Sequence, residues 1–153
     1  MPELWHEVWI AAPAERVFDA LTTKGGLDGW WGPVVAAEAR VGYVVDFDHG
    51  LGENLRMEIV DLVPNRRVVW KCVSVFDDPT NPASEWFGQT LQFDIAPRND
   101  VPLLGGIQTV AVLTFRNDGW PTDSRWRGFC NAAWGETLGV KLKNFCEANA
   151  ARA

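Results

Sequence analysis

The chain has 153 residues, of which 47% are hydrophobic, and a formal net charge of −6 at pH 7. This length and composition are typical of one globular domain with a sizeable core, and we predict a single domain over residues 1–153. An acidic chain without a basic stripe argues against nucleic acid and against an anionic membrane surface as partners.

The first part of the chain predicts a strand followed by two short helices. Leu4 to Ile10 is rich in Trp, Val and Ile, a composition that favours a strand. Pro13 suits the first turn of a helix that continues to Thr22, because a helix does not use the missing N–H at that position. A second, very short helix is expected over Leu27 to Trp31.

A run of strands follows these helices. Residues 34–39 and 43–48 predict a hairpin with Gly42 at its turn. Alternating apolar and polar residues indicate further strands around residues 55–59 and over residues 67–76. Such alternation is typical of an antiparallel sheet that covers a core with one of its faces.

Two loops are predicted in the second half of the strand region. Residues 77–82 form a loop by composition, and residues 98–106 predict a long hairpin loop before a last strand over residues 107–116. Between the loops, five residues share one face of a strand: Phe87, Gln89, Leu91, Phe93 and Ile95. The apolar tip at residues 101–104 has three interpretations, namely a cover for a pocket mouth, a homodimer contact, or packing onto its own hairpin.

The chain closes with a predicted long helix over about residues 122–149. One face of this helix collects Trp126, Cys130, Ala133, Trp134 and Thr137, and broadens through Leu138 and Leu142. The opposite side collects Gly128, Ala132, Gly135 and Gly139. Because a glycine inside a helix costs about 1 kcal/mol relative to alanine, close packing against another element is the expected reason. Room for a ligand or for a partner helix is the alternative.

These elements predict an α+β helix-grip fold in the order β-α-α-β-strands-α. In this fold a curved antiparallel sheet wraps around a long C-terminal helix, and we expect a cavity between the two. The nine tryptophans of the chain either fill the core or line that cavity. The candidate ligand-binding residues are Trp31, Tyr43, Trp70, Trp86, Phe87, Phe129 and Trp134, with core packing as the alternative for each. Gln89 or Gln92 is the candidate polar contact.

No catalytic, metal or cofactor site is predicted. The two histidines, His6 and His49, lie in a strand and in a turn, away from any nucleophile–base–acid set. Cys72, Cys130 and Cys146 are too widely spaced for a metal site and indicate reduced thiols. Together with the absence of a signal peptide or membrane-spanning run, they favour a cytoplasmic protein. Acid–base chemistry stays open if any of four carboxylates points inward: Glu38, Asp46, Asp48 and Glu58.

Five features spread over nearly the whole chain carry a resemblance to a known family. They are Ala12-Pro13 with residues 17–22, Trp30-Trp31, the Gly42 turn, residues 64–70 and residues 134–138. In this order they resemble the START-like, helix-grip superfamily and, within it, the activator-of-heat-shock-protein-ATPase homologue family. The resemblance implies a cavity between the sheet and the last helix. Related families bind lipids, hormones or polyketides there, and some of them cyclise or hydrate these molecules.

Three functional hypotheses follow. The first is binding of an apolar or aromatic small molecule in the cavity, without a cofactor. The second is a small enzyme of the cyclase or hydratase type that uses the same cavity with its carboxylates or His6. The third is an interaction protein of the chaperone-ATPase-activator kind. A chaperone partner is not expected, because founding members of the family use two domains and this chain begins directly at the first predicted strand. A homodimer is a further hypothesis.

Overall fold

The computed structural model describes residues 3–48, 53–103 and 106–150. It has the predicted α+β helix-grip fold, in which a curved antiparallel sheet packs against the C-terminal helix. The strands are β1 (Leu4–Ile10), β2 (Val44–Phe47), β3 (Leu55–Val63), β4 (Arg67–Cys72), β5 (Thr90–Leu103) and β6 (Gly106–Asp118). The helices are α1 (Ala14–Thr22), α2 (Lys24–Trp30), α3 (Arg127–Glu136) and α4 (Lys143–Ala150), with a 3-10 segment (Pro82–Glu85) and a π-helical segment (Thr137–Leu142).

The sheet brings the first strand beside the last. Its strand order is β1-β6-β5-β4-β3-β2, and all neighbouring strands are antiparallel. β1 pairs with β6 without interruption, from Leu4 opposite Asn117 to Ile10 opposite Ala111. One face of the sheet is buried against the helices, so the core lies between these two layers.

Two side chains of α4 hold the closing helix against the outer edge of β1. Lys143 Nζ donates to the Trp9 carbonyl at 2.7 Å, and Glu147 Oε2 accepts from the Ala11 N–H at 2.9 Å. Lys143 Nζ also donates to Glu147 Oε2 at 2.6 Å. These bonds position the helix across the sheet and occupy backbone groups that an edge strand would otherwise leave open.

The closing helix differs in two ways from the single helix predicted over residues 122–149. It begins only at Arg127, and its middle, Thr137–Leu142, is π-helical. A π-helical turn contains more residues than an α-helical turn, so it changes which side chains face the core in the second half of the helix. The periodicity of a regular α-helix therefore describes α3 better than the segments that follow it.

The small residues of the closing helix do not form the predicted stripe of close packing. Only Gly135 is in close contact, because a Cβ there would lie 3.3 Å from the His6 ring. A Cβ on Gly128 or on Gly139 would meet no described atom within 4 Å. Packing inside the described chain therefore explains one of these three glycines.

The hairpin predicted over residues 34–48 is not formed. Of its first half only Val34 pairs, through an isolated bridge to Phe47, and the full partner of β2 is β3. Val34 is buried, but Val35 is 66% exposed and most of residues 36–39 are exposed as well, so the chain after Val34 has no apolar face that packs on the core as a strand would. Gly42 does adopt a turn conformation, with a φ of +92°.

Within the loop predicted over residues 98–106, the described residues 98–103 and 106 belong to the two strands of a long β5–β6 hairpin. The two strands stay paired after a bulge that follows Arg98. Pro102 fits this pairing because β4 pairs with β5 no further than Asp94, so the outer part of β5 has a free edge that needs no N–H. The apolar tip predicted at residues 101–104 lies only partly within the described residues.

Gly29 of α2 packs so closely against Phe145 of α4 that a Cβ on Gly29 would overlap the ring. Gly29→Ala should therefore lower the free energy of unfolding by about 1–3 kcal/mol through overpacking. Gly25→Ala in the same helix is the matched control, because its Cβ would meet nothing within 4 Å, and it should be neutral or slightly stabilising. Urea unfolding measures both variants. Equal effects of the two substitutions would contradict the contact between α2 and α4.

Candidate functional site

Six aromatic side chains meet between the sheet and the closing helix, and we call them the aromatic cluster. The cluster consists of Trp31, Phe47, Trp70, Phe93, Phe115 and Trp134. Four of its members lie on the buried face of the sheet, while Trp31 follows the end of α2 and Trp134 belongs to α3. The cluster therefore joins every layer of the fold.

Five rings of the cluster form a closed circuit of contacts. The ring centroids are 5.7 Å apart for Trp31 and Trp70, 4.9 Å for Trp70 and Phe93, and 5.1 Å for Phe93 and Phe115. The circuit closes through Trp134, whose centroid is 4.8 Å from that of Phe115 and 5.1 Å from that of Trp31. These rings fill the space beneath the middle of the sheet. Aromatic pairs of this kind contribute about 0.5–1.5 kcal/mol each beyond the area they bury.

A cavity of about 170 Å³ lies beside the aromatic cluster. The closing helix forms one wall, the loop that contains the 3-10 segment forms the other, and Trp31 also lines the cavity. The described residues that line the cavity are Trp31, Asn81, Pro82, Ala83, Trp86, Phe129, Cys130, Ala133, Trp134 and Thr137. None of these residues carries a formal charge at neutral pH, so the cavity favours a neutral, largely apolar molecule.

One carboxylate ties the two walls of the cavity together. Glu85, the last residue of the 3-10 segment, accepts a hydrogen bond from Ser124 Oγ at 2.6 Å. It also accepts from the backbone N–H groups of Arg125 at 3.1 Å and Trp126 at 3.2 Å, just before α3 begins. Burial raises the pKa of Glu85, but these three hydrogen bonds outweigh it and hold the pKa below its usual value.

Cys130 is the titratable side chain among the described residues that line the cavity. Burial raises the pKa of its thiol. The sulfur donates weakly to the Pro82 carbonyl at 3.8 Å, which adds a contact between the two walls. A thiol with a raised pKa stays protonated at neutral pH, so Cys130 behaves as a wall residue and not as an activated nucleophile.

Four of the seven predicted ligand-binding residues line the cavity: Trp31, Trp86, Phe129 and Trp134. Of the other three, Trp70 belongs to the aromatic cluster and stacks on Trp31 with 8° between the ring planes. Tyr43 lies beside Arg40, whose guanidinium carbon is 5.6 Å from the ring centroid, and Phe87 is 60% exposed at the surface. A role in ligand binding stays a prediction for all seven residues.

The strand face predicted for residues 87–95 begins later than the pattern indicates. Gly88 has a φ of +82° and interrupts the alternation, so Phe87 does not share the buried face. Gln89 and Gln92, the predicted polar contacts, are not among the described residues that line the cavity. Gln89 donates to a backbone carbonyl at 2.9 Å, and Gln92 donates to a carboxylate oxygen of the sheet at 2.6 Å.

Six residues line the cavity but are not among the ligand-binding residues predicted from the sequence: Asn81, Pro82, Ala83, Cys130, Ala133 and Thr137. The last three share a helical face with Trp134, so the period of the helix is the signal that could have found them. The first three belong to a loop, and a loop's composition does not indicate which element the loop folds against.

The candidate acid–base residues are not among the described residues that line the cavity. The His6 ring lies close to Gly135 and 6.2 Å from the Phe115 centroid, while His49 lies outside the described residues. The carboxylates Glu38, Asp46, Asp48 and Glu58 belong to β2, β3 and the chain that flanks them. Within the part of the chain that the structure describes, no three His, Cys, Asp or Glu side chains are grouped to hold a metal ion.

The fold and the cavity define the class of this protein: a helix-grip domain with an apolar cavity beside its closing helix. The family model for Activator of Hsp90 ATPase homolog 1-like protein matches residues 11–147, and the chain belongs to this family. No curated protein sequence matches the chain significantly.

Across residues 3–48, 53–103 and 106–150, no helix combines the length and the apolar character that crossing a bilayer requires.

Several solved structures share the fold. The Aha1 dimer from Colwellia psychrerythraea is 24% identical, with a TM-score of 0.77, and the match covers 96% of this chain and 97% of that one. A Mesorhizobium loti protein is 19% identical, with a TM-score of 0.72 and coverage of 94% and 96%. DynU16, a protein in the dynemicin biosynthetic locus, is 18% identical, with a TM-score of 0.70 and coverage of 97% of this chain and 48% of its own. At these identities the likeness shows the fold alone.

Glu85→Gln should lower the free energy of unfolding at neutral pH. It should also make this free energy less sensitive to acid. The native pKa of Glu85 lies below the unfolded value of about 4.3, so the carboxylate stabilises the fold above that value. This contribution is lost as the pH falls through the native pKa. We expect the variant to be about 1 kcal/mol less stable at neutral pH and to approach the stability of the wild type in acid, as the pH falls through the native pKa. Urea unfolding at neutral pH and over a series of acidic pH values measures the difference, and a gap that stays constant over the whole series would contradict this role.

Proposed function

We propose that this protein binds a neutral apolar or aromatic small molecule in the cavity between α3 and the 3-10 segment. The observation that carries the proposal is the cavity itself, which measures about 170 Å³ and has four aromatic side chains and no formally charged one among its described lining. An apolar cavity of about 150 Å³ accommodates benzene in another protein. The volume here therefore suits one aromatic ring with a small substituent.

Binding is preferred to catalysis because of the chemistry of the lining. Among the described lining residues only Cys130 titrates, and burial raises the pKa of its thiol. The origin of DynU16 in the dynemicin biosynthetic locus is the observation that favours a second candidate, a small enzyme of the cyclase or hydratase type. Such an enzyme needs an acid or a base at the substrate, which the described lining does not supply.

Two further properties belong to the same proposal. The three cysteines are free thiols, which supports a cytoplasmic location because thiols persist in reducing compartments. The Colwellia relative is a dimer, which supports a homodimer as a hypothesis for this chain. A chaperone partner is not part of the proposal, since the name of the family describes an activity of other members.

Ala133 and Ala132 provide a matched test of the cavity. Both are exposed neighbours on α3, but only Ala133 lines the cavity. Ala133→Phe should fill part of the cavity and weaken the binding of toluene by roughly tenfold or more, whereas Ala132→Phe should bind toluene as the wild type does. Isothermal titration calorimetry measures the two Kd values, and thermal unfolding shows that both variants are folded.

Equal affinities in the wild type and in Ala133→Phe would contradict this location of the site. If toluene neither releases heat nor raises the Tm of the wild type at saturating concentration, binding of a plain aromatic hydrocarbon in this cavity is overturned. Native mass spectrometry of freshly purified protein complements this test, because a retained molecule would add a discrete mass that disappears on denaturation.

A further inference from the structure

Thr137 lines the cavity and carries a side-chain hydroxyl. Its backbone N–H donates within the helix to the carbonyls of Ala133 and Trp134. Its side-chain hydroxyl forms no hydrogen bond with any residue that the structure describes. By contrast, the hydroxyls of Thr22 and Thr23 each donate at 2.8 Å to the carbonyl four residues earlier in the chain. Thr137 therefore brings an unused donor and acceptor to an apolar cavity.

Asn81 offers a second polar group from the facing wall. Its Oδ1 accepts from the Ala83 N–H at 2.9 Å, and this bond fixes which end of the amide is the oxygen. The Nδ2 group donates to no described residue. Asn81 on the loop wall and Thr137 on the helix wall both line the cavity, so each wall includes one residue with an uncharged polar side chain.

The other polar atoms of the cavity are already used or cannot be reached. The Cys130 thiol donates to the Pro82 carbonyl. The Trp86 Nε1 is fully buried, so a molecule in the cavity does not meet it. The Thr137 hydroxyl is not fully buried, so a molecule in the cavity can reach it. In a cavity with apolar walls, a small number of such groups determines how a ligand is oriented.

We propose that the ligand is a neutral aromatic molecule that carries a hydrogen-bond-accepting oxygen, and that the Thr137 hydroxyl binds this oxygen with Asn81 Nδ2 as the second donor. The inference rests on the proposed function and adds the chemical class of the ligand. The aromatic ring packs among Trp86, Phe129 and Trp134. A charged ligand is disfavoured, because the described lining holds no opposite charge to pair with it.

Acetophenone and α-methylstyrene are the probes that isolate the oxygen. The two molecules have the same shape, but the carbonyl oxygen of the first is a methylene group in the second. Thr137→Val removes the hydroxyl and keeps a branched side chain of the same shape. We expect this variant to raise the Kd of acetophenone by about five- to tenfold and to leave the Kd of α-methylstyrene within about twofold of the wild-type value.

Thr137→Ser is the matched control, because it retains the hydroxyl and removes a methyl group. It should bind acetophenone within about threefold of the wild type, which distinguishes loss of the hydrogen bond from loss of packing. Titration calorimetry with all three proteins and both probes gives a complete double-mutant cycle. The different hydration of the two probes cancels in this cycle, because each probe is compared with itself across the proteins.

Equal weakening of both probes by Thr137→Val would overturn the inference, since the residue would then act through packing alone. Unchanged acetophenone binding in Thr137→Val would overturn it as well. In both of these cases the wild type still binds the probes, so the proposed function stands. If neither probe binds the wild type, the proposed function fails, and the inference fails with it.

Discussion

The packing of Trp134 against the aromatic rings of the sheet is the interaction on which the rest of the structure depends. Its ring centroid is 4.8 Å from that of Phe115 on β6 and 5.1 Å from that of Trp31. A tryptophan buries a large apolar area, so these contacts fix α3 over the sheet more strongly than the hydrogen bonds of α4 to the edge of β1. Because Trp134 also lines the cavity, the same side chain positions the helix and one wall of the site.

The location of the cavity is a consequence of this packing. Protein interiors are close-packed, and the aromatic cluster already occupies the space beneath the middle of the sheet. The remaining space lies to the side, where the closing helix faces the loop with the 3-10 segment. The separation of these two walls depends on Glu85, which hydrogen-bonds across to the chain before α3. One buried cluster and one surface carboxylate together shape the site.

Membership of the Activator of Hsp90 ATPase homolog 1-like family establishes ancestry and fold, and the proposed function depends on the cavity of this particular chain. Its described lining combines aromatic rings with the two uncharged polar groups of Thr137 and Asn81. That combination supports the proposal that a neutral molecule is recognised by shape and by one or two hydrogen bonds. The π-helical segment that begins at Thr137 is consistent with this view, because such irregular turns are frequent at functional sites.

The sequence by itself determined the order of the elements, the α+β class and the shared helical face of Cys130 and Trp134, because burial leaves a periodic pattern within each element. It failed at residues 34–39 and 98–106, where strand formation depends on which neighbours are present to pair. Only the tertiary structure decided that four of the seven candidate aromatics meet at one cavity and that residues 81–83 close it. These contacts join residues from about forty to about a hundred positions apart in the chain, and no local pattern records which loop a helix will face.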